Sequence, residues 1–289
     1  MTKKSLTLLI SFGVGFVALA TLFFFFDLEI SKSLGQENPN FLFLILAALG
    51  EFPIYLGPIM FGLVYGFTSE NKNMRVLYHL VGLGGLYVAF VRLVGGVFET
   101  FYTSEIGIIQ YSLLAIASLS LYLFMFLLIS KVDKESLFKI RDIAFMYLIV
   151  SAASFVMVSG IKYVWGRVRF RALSNDYSEY TNFLTINGLT NGLIDTDYRS
   201  FPSGHTNAAS CILILSLIPA RYSSKKWIKY LVLVLCCLYV LTVAISRICV
   251  KAHYASDVLF GFGINFACFM VTYFVFKKKG WLHARSNKC

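Results

Sequence analysis

Three short groups of residues in the second half of this chain have the types and spacing to do chemistry on an anion. In the middle group, Pro202-Ser203-Gly204-His205, a polar stretch gives way to an apolar run that begins at Thr206. The first backbone N–H groups of a helix have no partner inside it, so a helix opening here offers a site to an anion. Ser203 can cap that helix or donate its hydroxyl to a ligand, Gly204 lets the backbone come close to one, and His205 can move a proton near neutral pH. Taken alone, the four residues read more simply as an ordinary N-cap beside a histidine. Downstream stand Ser246-Arg247, then His253, then Asp257 four residues further on. At the start of a helix that spacing puts both side chains on one side. The carboxylate can then hold one imidazole nitrogen while the other faces a substrate, and such a histidine is a nucleophile. Upstream stand Lys162 and Arg169, seven residues apart, which project along one face if the helix carrying Lys162 runs on.

In that order, K-x6-R, PSGH and SR-x5-H-x3-D resemble the three-part signature of the type 2 phosphatidic acid phosphatase superfamily, over roughly residues 145 to 275. About ten specified positions leave chance agreement negligible. The resemblance implies that His253 attacks phosphorus to give a phosphohistidine, that Asp257 fixes its tautomer and stabilises its charge, and that His205 protonates the leaving oxygen and then activates water. It also implies that Lys162, Arg169, Ser203, Gly204 and Arg247 bind the phosphate. Fixed cations and N–H groups stabilise charge loaded onto its oxygens, and arginine suits them well. Arg167, Arg171 and Arg199 are candidates for a second phosphate or headgroup contact, or for a solvated basic rim. No D-x-D or His/Asp/Glu cluster of metal-ligating type occurs, so metal-independent hydrolysis is expected, with no cofactor. One residue departs from the family pattern. Proline usually follows the arginine of the first motif, and this chain has Phe170, which puts the rigidity of that loop in question more than its chemistry.

The elements that must position these residues are membrane helices. Apolar residues make up 58% of the chain and charged residues 14%, with a mean hydropathy of +0.72, which excludes an ordinary soluble domain. A hydrocarbon core asks for about 20 apolar residues per helical span. By that measure spans fall near 6–26, 41–67, 76–98, 108–130, 143–161, 204–220, 230–247 and 255–276. The expected fold is all-α, a polytopic bundle of about eight spans: N-terminal helices over 1–140, a catalytic core over 141–277 and a cytoplasmic tail over 278–289. The family commonly has six spans, so this chain adds two at its N-terminal end, which preserves orientation. The first span follows Lys3 and Lys4 and runs through Phe23 to Phe26 into Asp27 without a small-residue cleavage site, so it reads as a retained anchor. Glu51, Pro53 and Pro58 should bend the second.

With a cytoplasmic N-terminus, inner segments hold 17 of the 26 basic residues, and seven of the eight outer ones lie in or beside the motifs. The positive-inside rule is thus obeyed outside the motifs, and the net charge of +11 reports topology rather than nucleic-acid binding. The same topology places both termini in the cytoplasm of a plasma membrane protein and all three motifs at its outer face. The expected partner is a membrane lipid: undecaprenyl diphosphate first, then phosphatidylglycerophosphate, phosphatidic acid and diacylglycerol diphosphate. A phosphotransferase using His253, a lipid-binding or transport protein with a degenerate site, and an enzyme for a soluble phosphoester are the alternatives. The polar segment 170 to 203 should be an ordered loop beside the site. The six cysteines form no disulfide framework. His79 and His283 read as structural or solvent-exposed. Glu51, Arg92 and Glu99 lie within spans, where charge is costly, and interhelical or headgroup pairing is expected of them.

Overall fold

The computed structural model describes residues 3–101, 107–189, 193 and 195–282. Among them all regular structure is helical and no strand forms, as long apolar runs require when backbone polar groups must be satisfied within each segment. In chain order the helices are α1 (Lys3–Leu34), α2 (Phe41–Leu49), α3 (Phe52–Thr68), α4 (Lys72–Phe101), α5 (Ile108–Ile129), α6 (Lys134–Lys139), α7 (Arg141–Trp165), α8 (Gly204–Ser210), α9 (Pro219–Tyr222), α10 (Lys226–Cys249) and α11 (Ala255–Lys278). Among the described residues seven stretches are long and apolar enough to cross a membrane, with α2 and α3 together counting as one. Large apolar side chains stay exposed along them, such as Leu113, Ile116, Leu119 and Leu123 on α5, a surface suited to lipid.

Two spans depart from simple helices, and proline accounts for both. Gly50 and Glu51 separate α2 from α3, and Pro53, in the first turn of α3, has no N–H to carry the ladder across. The sixth span, expected over 204–220, is helical but broken: α8 gives way to a 3₁₀ stretch, Cys211–Leu217, and then to α9, which starts at Pro219. Pro219 donates nothing back to the preceding turn. Because no single helix there is long enough, this run falls outside the seven candidate spans found among the described residues.

The residues group into two compact units, each drawn from separated parts of the chain. The first comprises Met1–Ala47, Phe155–Asn207 and Thr242–Ile264, and it holds all three motifs together with α1. Phe12 and Phe16 of α1 pack on Phe262 and Phe260 of α11, where Gly263 leaves room: a Cβ there would lie 2.6 Å from the Phe16 ring. Phe23 and Ile30 close over Ile248, Ala255 and Val258. Just past α1, the Gln36 N–H donates to the Cys249 carbonyl at 2.9 Å. The polar loop after α7 is held by its own hydrogen bonds and rings. Trp165 Nε1 donates to the Phe183 carbonyl at 2.6 Å, Asn187 Nδ2 donates to the Gly166 carbonyl and to Thr181 Oγ1, and Phe183, Phe201 and Phe260 pack on one another.

The second unit comprises Ala48–Ser154, Ala208–Leu241 and Asn265–Cys289. Its core of Ile59, Leu63, Leu86 and Tyr122 forms where α3 meets α4. A Cβ on Gly62 would lie 2.5 Å from the Cα of Gly82, the close approach that small residues give membrane helices. Arg92 takes Glu51 as its interhelical partner at 2.8 Å. The Glu99 side chain lies outside the described residues. Nδ1 of His79 sits 3.1 Å from the Tyr122 hydroxyl, against the rings of Phe67 and Phe126, in a packing position. Residues 283–289, which include His283 and most of the expected tail, also lie outside the described residues.

Candidate active site

α10 ends at Cys249 and the chain turns through Lys251, at φ +56°, into α11. The Arg247 carbonyl accepts the N–H groups of Ala252 and His253, at 3.1 and 3.2 Å, so the turn folds back onto the arginine of its own motif. With α11 starting at Ala255, Asp257 occupies the third helical position, and its Oδ2 accepts the Tyr254 N–H at 3.0 Å. That is the acidic half of a capping box. The same oxygen lies 3.5 Å from Nδ1 of His253, the outer limit of a hydrogen bond. The four-residue spacing thus brings the pair together, although His253 precedes the helix rather than riding on it. Burial pushes the His253 imidazole well below its ordinary value; the hydrogen bond to Asp257 opposes this, and the charges of Lys162 and Arg169 add to it. At neutral pH the ring is neutral, the form that can attack an electrophile.

Ser203 caps α8 as its residue type predicts: Oγ accepts the Thr206 N–H at 3.3 Å and the Thr206 hydroxyl at 3.1 Å. Its own N–H donates to the Asp257 carbonyl at 2.8 Å, which ties the second motif to the third. Gly261, one turn along α11, permits this approach, since a Cβ there would lie 2.3 Å from the Ser203 carbonyl oxygen. Lys162 arrives from α7. A Cβ on Gly204 would lie 3.6 Å from Lys162 Cε, and the ammonium donates to the Arg199 carbonyl at 2.7 Å. His205 sits half-buried at the second position of α8.

Lys162 and Arg169 do not share a helix face. α7 stops at Trp165 because Gly166 takes φ +57°, a left-handed stop open to a residue without Cβ. Arg169 follows in extended chain, its Nε donating to the Thr196 carbonyl at 3.1 Å and its N–H to the Asp197 carbonyl at 2.8 Å. Phe170, where the family pattern has proline, is buried; its ring stacks on Tyr177 and meets Tyr254 edge-on, both at 6.0 Å. Packing fixes this loop in place of a pyrrolidine ring. Arg171 pairs with Asp197 at 3.0 Å, with both side chains well exposed, and Arg199 lies 4.6 Å over the Tyr163 ring. Arg167 differs from both. It is neither a rim residue nor open to a second phosphate, because its side chain is 0% exposed between Asp27 and Asp257.

The family model of the PAP2 superfamily matches residues 143–281. Over this segment, just under half of the chain, the sequence is similar to the PAP2 superfamily. The superfamily comprises phosphatases in general. No curated protein and no solved structure matches the chain. The PAP2 segment carries all three motifs but not α1, whose Asp27 nonetheless reaches them. The motifs also gave no sign of Ser200, whose hydroxyl donates to Asp257 Oδ2 at 2.5 Å, or of Ser256 and Gly261. Asp27 carried one signal, a carboxylate among phenylalanines and leucines, but a span drawn to end at residue 26 set it outside the bilayer. Among the described residues no three His, Cys, Asp or Glu side chains gather as metal ligands do. What the residues of this segment do gather is a neutral imidazole with a carboxylate 3.5 Å from its Nδ1, two cations close enough to act on its charge and a capped helix beside it.

Proposed function

We propose that this protein is an integral-membrane phosphatase that removes the terminal phosphate of a lipid phosphate or diphosphate through a phosphohistidine on His253. The observation that carries the reading is the buried His253 against Asp257, under the charges of Lys162 and Arg169. Nδ1–H faces Asp257, which accepts it, and this leaves Nε2 for phosphorus. As the P–O bond to the lipid breaks, His205 gives its proton to the departing oxygen; it then takes one from water, which attacks the phosphohistidine and frees inorganic phosphate. Lys162, Arg169 and Arg247, with the N–H groups around Ser203 to His205, hold the charge that builds on the equatorial oxygens. Counted along the sequence with eight crossings, 17 of the 26 basic residues fall on the inner side and most of the outer ones in the motifs, a pattern that supports cytoplasmic termini and a site at the outer face of the plasma membrane. An apolar belt around a cationic site suits a substrate whose tail stays in the bilayer, with undecaprenyl diphosphate first and phosphatidylglycerophosphate and phosphatidic acid next.

The test is phosphate release by purified protein in detergent with EDTA, wild type beside His253→Ala, on polyprenyl diphosphate, phosphatidylglycerophosphate, phosphatidic acid and glucose 6-phosphate. Release that survives the chelator, vanishes in the variant and favours a lipid is expected. Transfer of the phosphoryl group to an added alcohol in preference to water would replace hydrolysis with phosphotransfer. No release by folded wild-type protein would sink the reading.

A further inference from the structure

We propose that Asp27, on α1, is a positioning residue for this reaction: through Arg167 it fixes the Asp257 carboxylate that holds His253. The inference rests on the phosphatase reading and adds to it a residue outside the PAP2 segment. Asp27 is 0% exposed. Its Oδ1 accepts the Ser256 N–H at 2.9 Å, and its Oδ2 accepts both the Ser256 hydroxyl at 2.5 Å and Arg167 Nη2 at 2.9 Å. Arg167 in turn donates from Nη1 to Asp257 Oδ1 at 2.7 Å and to Ser256 Oγ at 2.8 Å, and from Nε to the Thr181 carbonyl at 2.9 Å. Its guanidinium carbon lies 4.0 Å from the centre of the Tyr254 ring. A planar fork held at every nitrogen and along one face cannot rotate.

The consequence falls on Asp257. One carboxylate oxygen is taken by Arg167, so the other is turned to Ser200, the Tyr254 N–H and His253. Asp27 also grips the first turn of α11 directly, through the backbone and side chain of Ser256, the residue before Asp257. A leucine at position 27 would fill the space at lower cost, because a buried carboxylate is expensive unless it is fully hydrogen-bonded. Asp257 held in this way keeps its negative charge beside His253. That charge suits the moment when the ring becomes cationic on taking the phosphoryl group.

The experiment compares Asp27→Asn and Ser256→Ala with wild type, all purified in detergent, on whichever of the three lipid substrates wild type cleaves fastest. Asparagine keeps the size of Asp27 and loses its charge. A kcat about 10- to 100-fold lower, with KM within about twofold, is expected for Asp27→Asn, and a smaller loss of the same kind for Ser256→Ala. Folded Asp27→Asn with kcat within about twofold of wild type, or with a raised KM and an unchanged kcat, would overturn the inference. So would failure of both variants to fold, which would make the cluster a staple of assembly alone. Full activity in His253→Ala would instead sink the phosphohistidine reading, whatever Asp27 does.

Discussion

Two charged groups of this chain have opposite characters. In the first unit Arg167 sits between Asp27 and Asp257 with all three side chains 0% exposed. In the second unit Arg92 meets Glu51 with its own side chain 57% exposed and that of Glu51 20% exposed. A long arginine can bury its stem and keep its head toward a polar layer, so the second pair costs little and gains little. The first has no such escape. Every charge there must be matched by geometry, and removing one partner strands the others. Charge within a span is thus a poor guide to function until its surroundings are known. The separating feature is how many independent contacts fix each group.

The contrast breaks most readily at its strongest point. Arg167→Met should destabilise the protein by about 3–5 kcal/mol, because it leaves two buried carboxylates facing each other; thermal unfolding in detergent measures it, and a loss below about 1 kcal/mol would erase the distinction. Gly261→Ala should keep the protein folded yet lower kcat about 100-fold, since a methyl group would push the Ser203 carbonyl, and with it the cap of α8, out of place. Removing one donor from Asp257, by Ser200→Ala, should lower kcat about 10-fold with the fold intact. The pH profile gives a subtler check. A depressed His253 keeps the imidazole neutral below its ordinary value, so the acid limb of kcat should fall below about pH 6.5, the ordinary histidine value. Stability should follow the same sign: the unfolded chain takes up a proton on this histidine from about pH 6.5 downward while the folded one refuses it, so the histidine's contribution is intact above that pH and is lost as the pH falls. Least of all, Arg92→Met should change stability by no more than about 1 kcal/mol and leave kcat at the wild-type value.

The spans were legible in the sequence because a lipid-facing helix declares itself by length and apolarity alone, and the motifs because their spacings are local. Proline and glycine set the exceptions. Pro219 breaks a run whose composition would otherwise span, and Gly166 ends the helix that seemed able to carry Lys162 and Arg169 on one face. The fate of Arg167 was not legible. Arg167, Arg169 and Arg171 stand at alternate positions in one basic stretch, and the first is buried because its partner Asp27 lies 140 residues earlier. The packing that replaces the missing proline at Phe170 was equally hidden, since Tyr177 and Tyr254 complete it from two other segments.

The reach from Asp27 to Ser256 spans 229 residues, and this sets an order of events during synthesis. The carboxylate on α1 leaves the ribosome long before Arg167 and longer still before the first turn of α11. Until α11 is made, Asp27 can meet Arg167 but not Ser256, and the clamp on Ser256 and Asp257 closes only once α11 has emerged. A nascent protein halted before α11 therefore holds two of the three motifs without the lock that orients them, and the site becomes competent in a single late step.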